Sequence, residues 1–125
     1  MIRGLHHVQV NVPLARETEA RRFYALLGFE EVARPDSLGQ AGRAGIWYRC
    51  GNGEFHVYLN PAADFHASAT DQHPALLVQD LAALRSRLAD AGVPLQEAIP
   101  IEGRERFFAR DPGGNRIEFL AITGA

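Results

Sequence analysis

Apolar and polar residues alternate along residues 5–12, placing His7, Gln9 and Asn11 on one side of an extended strand and His6, Val8, Val10 and Val12 on the other. The period then changes to a helical one. Over residues 14–27, Ala20, Phe23, Tyr24 and Leu27 recur at helical spacing, and Gly28 follows as a stop. Residues 29–32 read as a second strand. Residues 35–45, with three glycines and no periodicity, read as a loop and as the segment expected to move. Residues 46–50 and 54–59 are strand-like and joined by Gly51, Asn52 and Gly53, a hairpin turn.

The same order then returns. Residues 73–79 form a strand pattern, and Asp80 is placed to cap a helix whose Leu81, Leu84, Leu88 and Ala91 share a stripe closed by Gly92. Val93 and Leu95 resume the extended pattern. Residues 104–110 and 115–122 complete the set, joined by Asp111, Pro112, Gly113 and Gly114. Strand, helix, glycine stop and three further strands thus occur twice, an internal βαβββ repeat. The expected organisation is a single domain over residues 1–125, with module one at about 1–61, a linker at about 62–72 and module two at about 73–125.

Parity places one further histidine or acid on a polar strand face in each of three other strands. His56 shares its side with Glu54 and Tyr58, opposite Phe55, Val57 and Leu59. His73 shares its side with Ala75, Leu77 and Gln79, and Glu118 lies with Arg116 and Leu120, opposite Ile117 and Phe119. A carboxylate within such a strand is costly to bury unless something neutralises it, and a metal ion is one candidate. His7, His56, His73 and Glu118 are therefore the candidate ligands. Three imidazoles and one carboxylate suit a divalent ion such as Zn, Fe(II), Ni, Co or Mn, with no thiolate in the set.

Composition narrows the class. With 46% hydrophobic residues in 125, the chain can bury one ordinary core. A formal charge of −2, with arginine supplying all 13 basic residues, gives no reason to expect nucleic acid or an anionic membrane as partner. The single cysteine, Cys50, excludes an internal disulfide and reads as a small buried apolar side chain. No run approaches the roughly 20 apolar residues of a membrane span, and the amino terminus enters a strand at once, so the expected location is cytoplasmic. His6, on the aliphatic parity, and His66, in the linker, read as structural residues.

The segments GLHHVQVNV, RRFYALLGFEEV, HPALLV with a helix ending DAGV, and the closing hairpin ARDPGGNRIEFL together resemble the vicinal oxygen chelate superfamily. That superfamily includes glyoxalase I, methylmalonyl-CoA epimerase, extradiol dioxygenases, fosfomycin-resistance transferases and bleomycin-resistance proteins. The resemblance implies an α+β fold in which two βαβββ modules form a cup-shaped, eight-stranded mixed sheet with helices on the outer face. It implies ligands on the first and last strands of each module, which are His7, His56, His73 and Glu118 here. It also implies a homodimer whose cups combine residues of both subunits. His56 stands where glyoxalase I and the epimerase often carry Glu or Gln. Gln9 and the short end at Thr123, Gly124 and Ala125 depart from the fosfomycin transferases, which carry a threonine and a basic tail at those places.

Two functions are open on this reading. One is a metal-dependent lyase, isomerase or dioxygenase acting on a small oxygen-bearing substrate. Glu118, Tyr58 and Gln9 would serve catalysis, and Trp47, Tyr48, Arg106 and Phe108 would contact substrate, Arg106 holding an anionic group. The other is a metal-free protein that sequesters a small ligand against Trp47, Tyr48, Phe107 and Phe108, with Glu118 paired to Arg116 or to an arginine across an interface.

Overall fold

The alternating run near the amino terminus becomes β1 (His7–Pro13), and its aliphatic parity sinks into the core, with Val12 fully buried. The computed structural model describes residues 1–62, 67 and 70–123; His66 lies outside the described residues. A 3-10 turn (Leu14–Arg16) leads into α1 (Glu17–Leu26), so the expected helix is split at its start. Glu17 and Glu19 in the first turn of α1 complement the helix dipole. Ala20, Phe23 and Tyr24 are its buried face, and Gly28, at φ 80°, turns the chain out of it.

After β2 (Glu30–Val32) the segment expected to be an aperiodic loop contains a five-residue helix, α2 (Asp36–Gln40). Pro35 starts it by accepting a bond from the Leu38 amide at 3.1 Å, and Gly42, at φ 75°, ends it. One turn of helix needs no amphipathic period, which is why none appears in the sequence. Strands β3 (Gly45–Cys50) and β4 (Gly53–Asn60) form the expected hairpin. Module two repeats the order with β5 (Ala75–Leu77), α3 (Leu81–Asp90), β6 (Leu95–Glu97), β7 (Arg104–Arg110) and β8 (Arg116–Ile122). Asp80 caps α3, accepting from the Ala83 amide at 3.0 Å.

Each module builds its own four-stranded mixed sheet, ordered β1-β4-β3-β2 and β5-β8-β7-β6. In each, the first strand runs parallel to the last and the others are antiparallel. One face of each sheet joins a continuous core with α1 and α3; Phe55, Ile46, Phe107, Phe119 and Leu88 are fully buried there. Each such side chain stabilises the fold by roughly 1.5–3 kcal/mol. Tyr24 is the hub of an aromatic cluster with Phe23, Phe29, Tyr48 and Phe55, ring centroids 5.0–5.9 Å away.

The modules are tied by polar contacts around the β7–β8 turn. Tyr24 donates its hydroxyl to Asp111 Oδ2 at 2.7 Å, and Asn115 Nδ2 donates to the Asn11 carbonyl at 2.8 Å. Asp111 Oδ1 also accepts the backbone amides of Gly113 and Asn115, both at 2.9 Å. Gly113 packs so tightly on β1 that a Cβ there would stand 2.8 Å from the Asn11 carbonyl oxygen. With the core faces spent on packing, the opposite face of each sheet is left for function.

Candidate functional site

The repeat is accurate to the residue at the candidate ligands. In module one His56 on β4 pairs across the ladder with Gln9 on β1, and His7 lies two residues before that partner. In module two Glu118 on β8 pairs with Ala75 on β5, and His73 lies two residues before that partner. Equal register and the two-residue side-chain period put both pairs on the face turned away from the core. The flanking strand repeats too, since Trp47 pairs with His56 and Phe108 with Glu118.

Within module two His73 Nε2 stands 3.0 Å from Glu118 Oε1. Glu118 is only 6% exposed, which is where a lone carboxylate would be costly. Arg106 Nη1 approaches the same oxygen at 3.5 Å, while its Nη2 donates to the Ile99 carbonyl at 2.7 Å. His73 Nδ1 lies 2.8 Å from the Asp71 carbonyl oxygen. A carbonyl only accepts, so Nδ1 carries a proton and Nε2 is the nitrogen presented to Glu118. Phe108 meets the His73 ring edge-on at 5.2 Å, and the Arg116 guanidinium covers Phe108 at 3.7 Å.

Within module one the His56 ring is buried and flanked by stacked rings. His7 lies 4.2 Å from it at 21°, and Trp47 lies 4.0 Å from it at 1°. His56 Nε2 is 2.7 Å from Glu54 Oε1, and that hydrogen bond is the chief reason the Glu54 carboxyl is held below its ordinary range. Burial, reinforced by the neighbouring His56 and His6, pushes the His7 imidazole below its ordinary value. His7 Nδ1 is 2.9 Å from His6 Nδ1, so one of these two nitrogens donates to the other and His7 Nε2 is left for another partner.

Among the described residues of one chain, no three His, Cys, Asp or Glu side chains are grouped so as to hold a metal ion. The four candidates are brought together as two pairs, His7 with His56 and His73 with Glu118. Gln9 and Tyr58 lie on the same face as the first pair. Gln9 Nε2 donates to Asn11 Oδ1 at 3.4 Å, and the Arg43 guanidinium sits 4.5 Å over the Tyr58 ring.

Three expectations are corrected. Tyr48 does not line the site: it pairs with Phe55, is 4% exposed and packs on Tyr24 and Phe29, because neighbouring residues of a strand point to opposite faces. Phe107 is likewise fully buried in the core, while Phe108 turns to the site. The arginine beside Glu118 is Arg106, not Arg116, whose closest acid is Asp71 at 3.9 Å. Arg106, expected to hold a substrate anion, is already engaged by Glu118.

Residues not anticipated complete the picture. Glu54 had the parity that should have singled it out. Arg34 and Arg43 come from the ends of the α2 loop and line a cavity of about 310 Å³ with Trp47, His56 and Tyr58. No helix among the described residues is long and apolar enough to cross a membrane.

The fold has relatives. A protein of Bacillus anthracis assigned to the glyoxalase family superposes with a TM-score of 0.86 at 35% identity, over 98% of each chain. The fosfomycin resistance protein FosX of Listeria monocytogenes (TM-score 0.74, 17% identity, 98% of this chain and 96% of that one) shares the fold. So does a lactoylglutathione lyase of Agrobacterium tumefaciens (TM-score 0.68, 17% identity, 94% and 92%). A search of curated proteins finds no match. The family model described as Glyoxalase/Bleomycin resistance protein/Dioxygenase superfamily matches residues 4–119, and the chain belongs to that superfamily.

Proposed function

We propose that this protein is a divalent-metal-dependent enzyme of the cytoplasm acting on a small oxygen-bearing substrate, by lyase, isomerase or dioxygenase chemistry. It works as a homodimer in which His7 and His56 of one chain meet His73 and Glu118 of a second copy around one ion.

The observation that carries this reading is the line from the Asp71 carbonyl through His73 to Glu118. With Nδ1–H committed to the carbonyl, a neutral His73 would set a lone pair 3.0 Å from a carboxylate oxygen. Two donor atoms facing each other in that way call for a cation between them, a proton or a metal ion. A ligating histidine that gives its other N–H to a backbone carbonyl is the usual outer-shell arrangement of metal sites. His56 bonded to Glu54 has the same logic, with Nδ1 left to ligate. The depressed pKa of His7 keeps its ring neutral, the state that ligation requires.

The donor set fits Zn, Fe(II), Ni, Co or Mn. A bound ion would supply Lewis-acid polarisation of neighbouring substrate oxygens, or dioxygen chemistry if it is iron. The chain's own residues do the rest. Trp47 fixes the His56 plane from one side, Gln9 and Tyr58 orient the substrate by hydrogen bonds, and Phe108 walls the His73 edge. The test is metal content by elemental mass spectrometry on protein purified without chelator, against a His73→Ala variant. Near one ion per chain, lost in the variant, supports the reading; no ion in either, even after adding Zn, Fe(II), Ni, Co or Mn, sinks it.

One observation favours a second reading. Arg106, 3.5 Å from Glu118, neutralises the buried acid without any metal, as a protein that only sequesters its ligand would need. Glu118→Gln would then leave ligand binding intact.

A further inference from the structure

We infer that the module-one cavity is built for an organic oxyanion, a carboxylate or phosphonate carried by the substrate and held by Arg34 and Arg43. This deepens the reading above and rests on the cup being the substrate site.

The cavity of about 310 Å³ is lined by Arg34, Arg43, Trp47, His56 and Tyr58 among others, and no Asp or Glu lines it. Neither arginine has an acidic partner among the described residues, whereas Arg16, Arg21 and Arg85 all sit on glutamates. Arg34 Nε is buried with no hydrogen-bond partner among the described residues, as is Arg106 Nε, so an anion in the cavity is met by the outer guanidinium nitrogens of Arg34 rather than by Nε.

The two guanidinium groups are also held in place. Arg34 Nη2 donates to the Arg43 carbonyl at 2.8 Å, and Arg43 is braced over the Tyr58 ring. Gly45 makes the room: a Cβ there would stand 3.3 Å from Arg34 Nη2 and 2.7 Å from the Val57 carbonyl oxygen. Guanidinium forks match the paired oxygens of a carboxylate or phosphonate. An anion bound there lies in the cavity that His7, Trp47 and His56 also line, so the rest of its molecule stays beside the first ligand pair. The substrate class is therefore a small acid whose reacting oxygens lie a short distance from its anionic end.

Trp47 is the chain's single tryptophan, so its fluorescence reports on this cavity. The full-length protein as purified is titrated with benzoate, phenylphosphonate and, as a neutral control, benzamide, and the titration is repeated on Arg34→Gln, Arg43→Gln and Glu118→Gln. Expected is saturable binding of at least one anion and not of benzamide, weakened about tenfold or more in each arginine variant and unchanged in Glu118→Gln. Benzoate alone or phenylphosphonate alone supports the inference and names the anion. Equal binding of benzamide, or wild-type affinity in both arginine variants, overturns it. Loss of binding in Glu118→Gln overturns it too, because the anion would then be sitting on the ion. Metal content measured on the same samples separates the two proposals, since an arginine variant that keeps its metal but loses the anion leaves the metal reading untouched.

Discussion

Tyr24 on α1 and Asp111 in the β7–β8 turn, 87 residues apart in sequence, share a 2.7 Å hydrogen bond in the buried seam between the modules. Burial pushes the Tyr24 phenol well above its ordinary range, so it stays a donor. Tyr24→Phe removes the donor and leaves the ring. The expected loss is about 1.5–3 kcal/mol of stability, read from urea unfolding.

The same carboxyl makes stability depend on pH. Burial raises the Asp111 pKa above the ordinary aspartate value, although the bonds from Tyr24, Asn115 and Gly113 pull the other way. The native state therefore binds this proton more readily than the unfolded chain. Its contribution is fully present below the unfolded value of about 3.9 and is lost as pH rises through the folded value. Urea midpoints followed upward from about pH 4 should show this fall in the wild type, and Asp111→Asn should flatten it.

Gly113 is required by contact rather than by backbone conformation. A methyl group at this position meets the Asn11 carbonyl oxygen at 2.8 Å and Val12 Cα at 3.0 Å. Gly113→Ala should cost about 1–3 kcal/mol. Gly4→Ala, with nothing within 4 Å of its added methyl, should change stability by less than about 0.5 kcal/mol. Thermal unfolding of the two variants side by side checks the difference.

Mixed variants test whether the ligand pairs are supplied by different chains. His7→Ala and Glu118→Gln should each abolish metal binding alone. Unfolded together and refolded, half of the dimers are mixed, and each mixed dimer has one intact site. Metal content should then recover to about a quarter of the wild-type value. No recovery would mean that each site is made within one chain.

Much of this was readable from residue order because strands have a strict two-residue period. That period alone separates His7 from His6, and Phe55 from His56. It also forbade Trp47 and Tyr48 from facing the same side, and the pairing of Tyr48 with Phe55 and Trp47 with His56 shows why. Arg34 and Arg43 were not legible. They belong to a loop without period, and what aligns them is a tertiary closure, Arg34 Nη2 on the Arg43 carbonyl in the space that Gly45 leaves. The tautomer of His73 was equally out of reach, since it depends on where a backbone carbonyl two residues away comes to rest.

The two sheets share no strand pairing; among the described residues the modules are held by side chains on both long helices, one turn and a common apolar seam. A chain can therefore exchange its second module for a neighbour's without breaking any ladder, replacing each seam contact with an identical one. If a second copy completes the cup, as proposed above, protein concentration becomes a structural variable, and how dilute a sample has been and how it was refolded set which copy completes which cup.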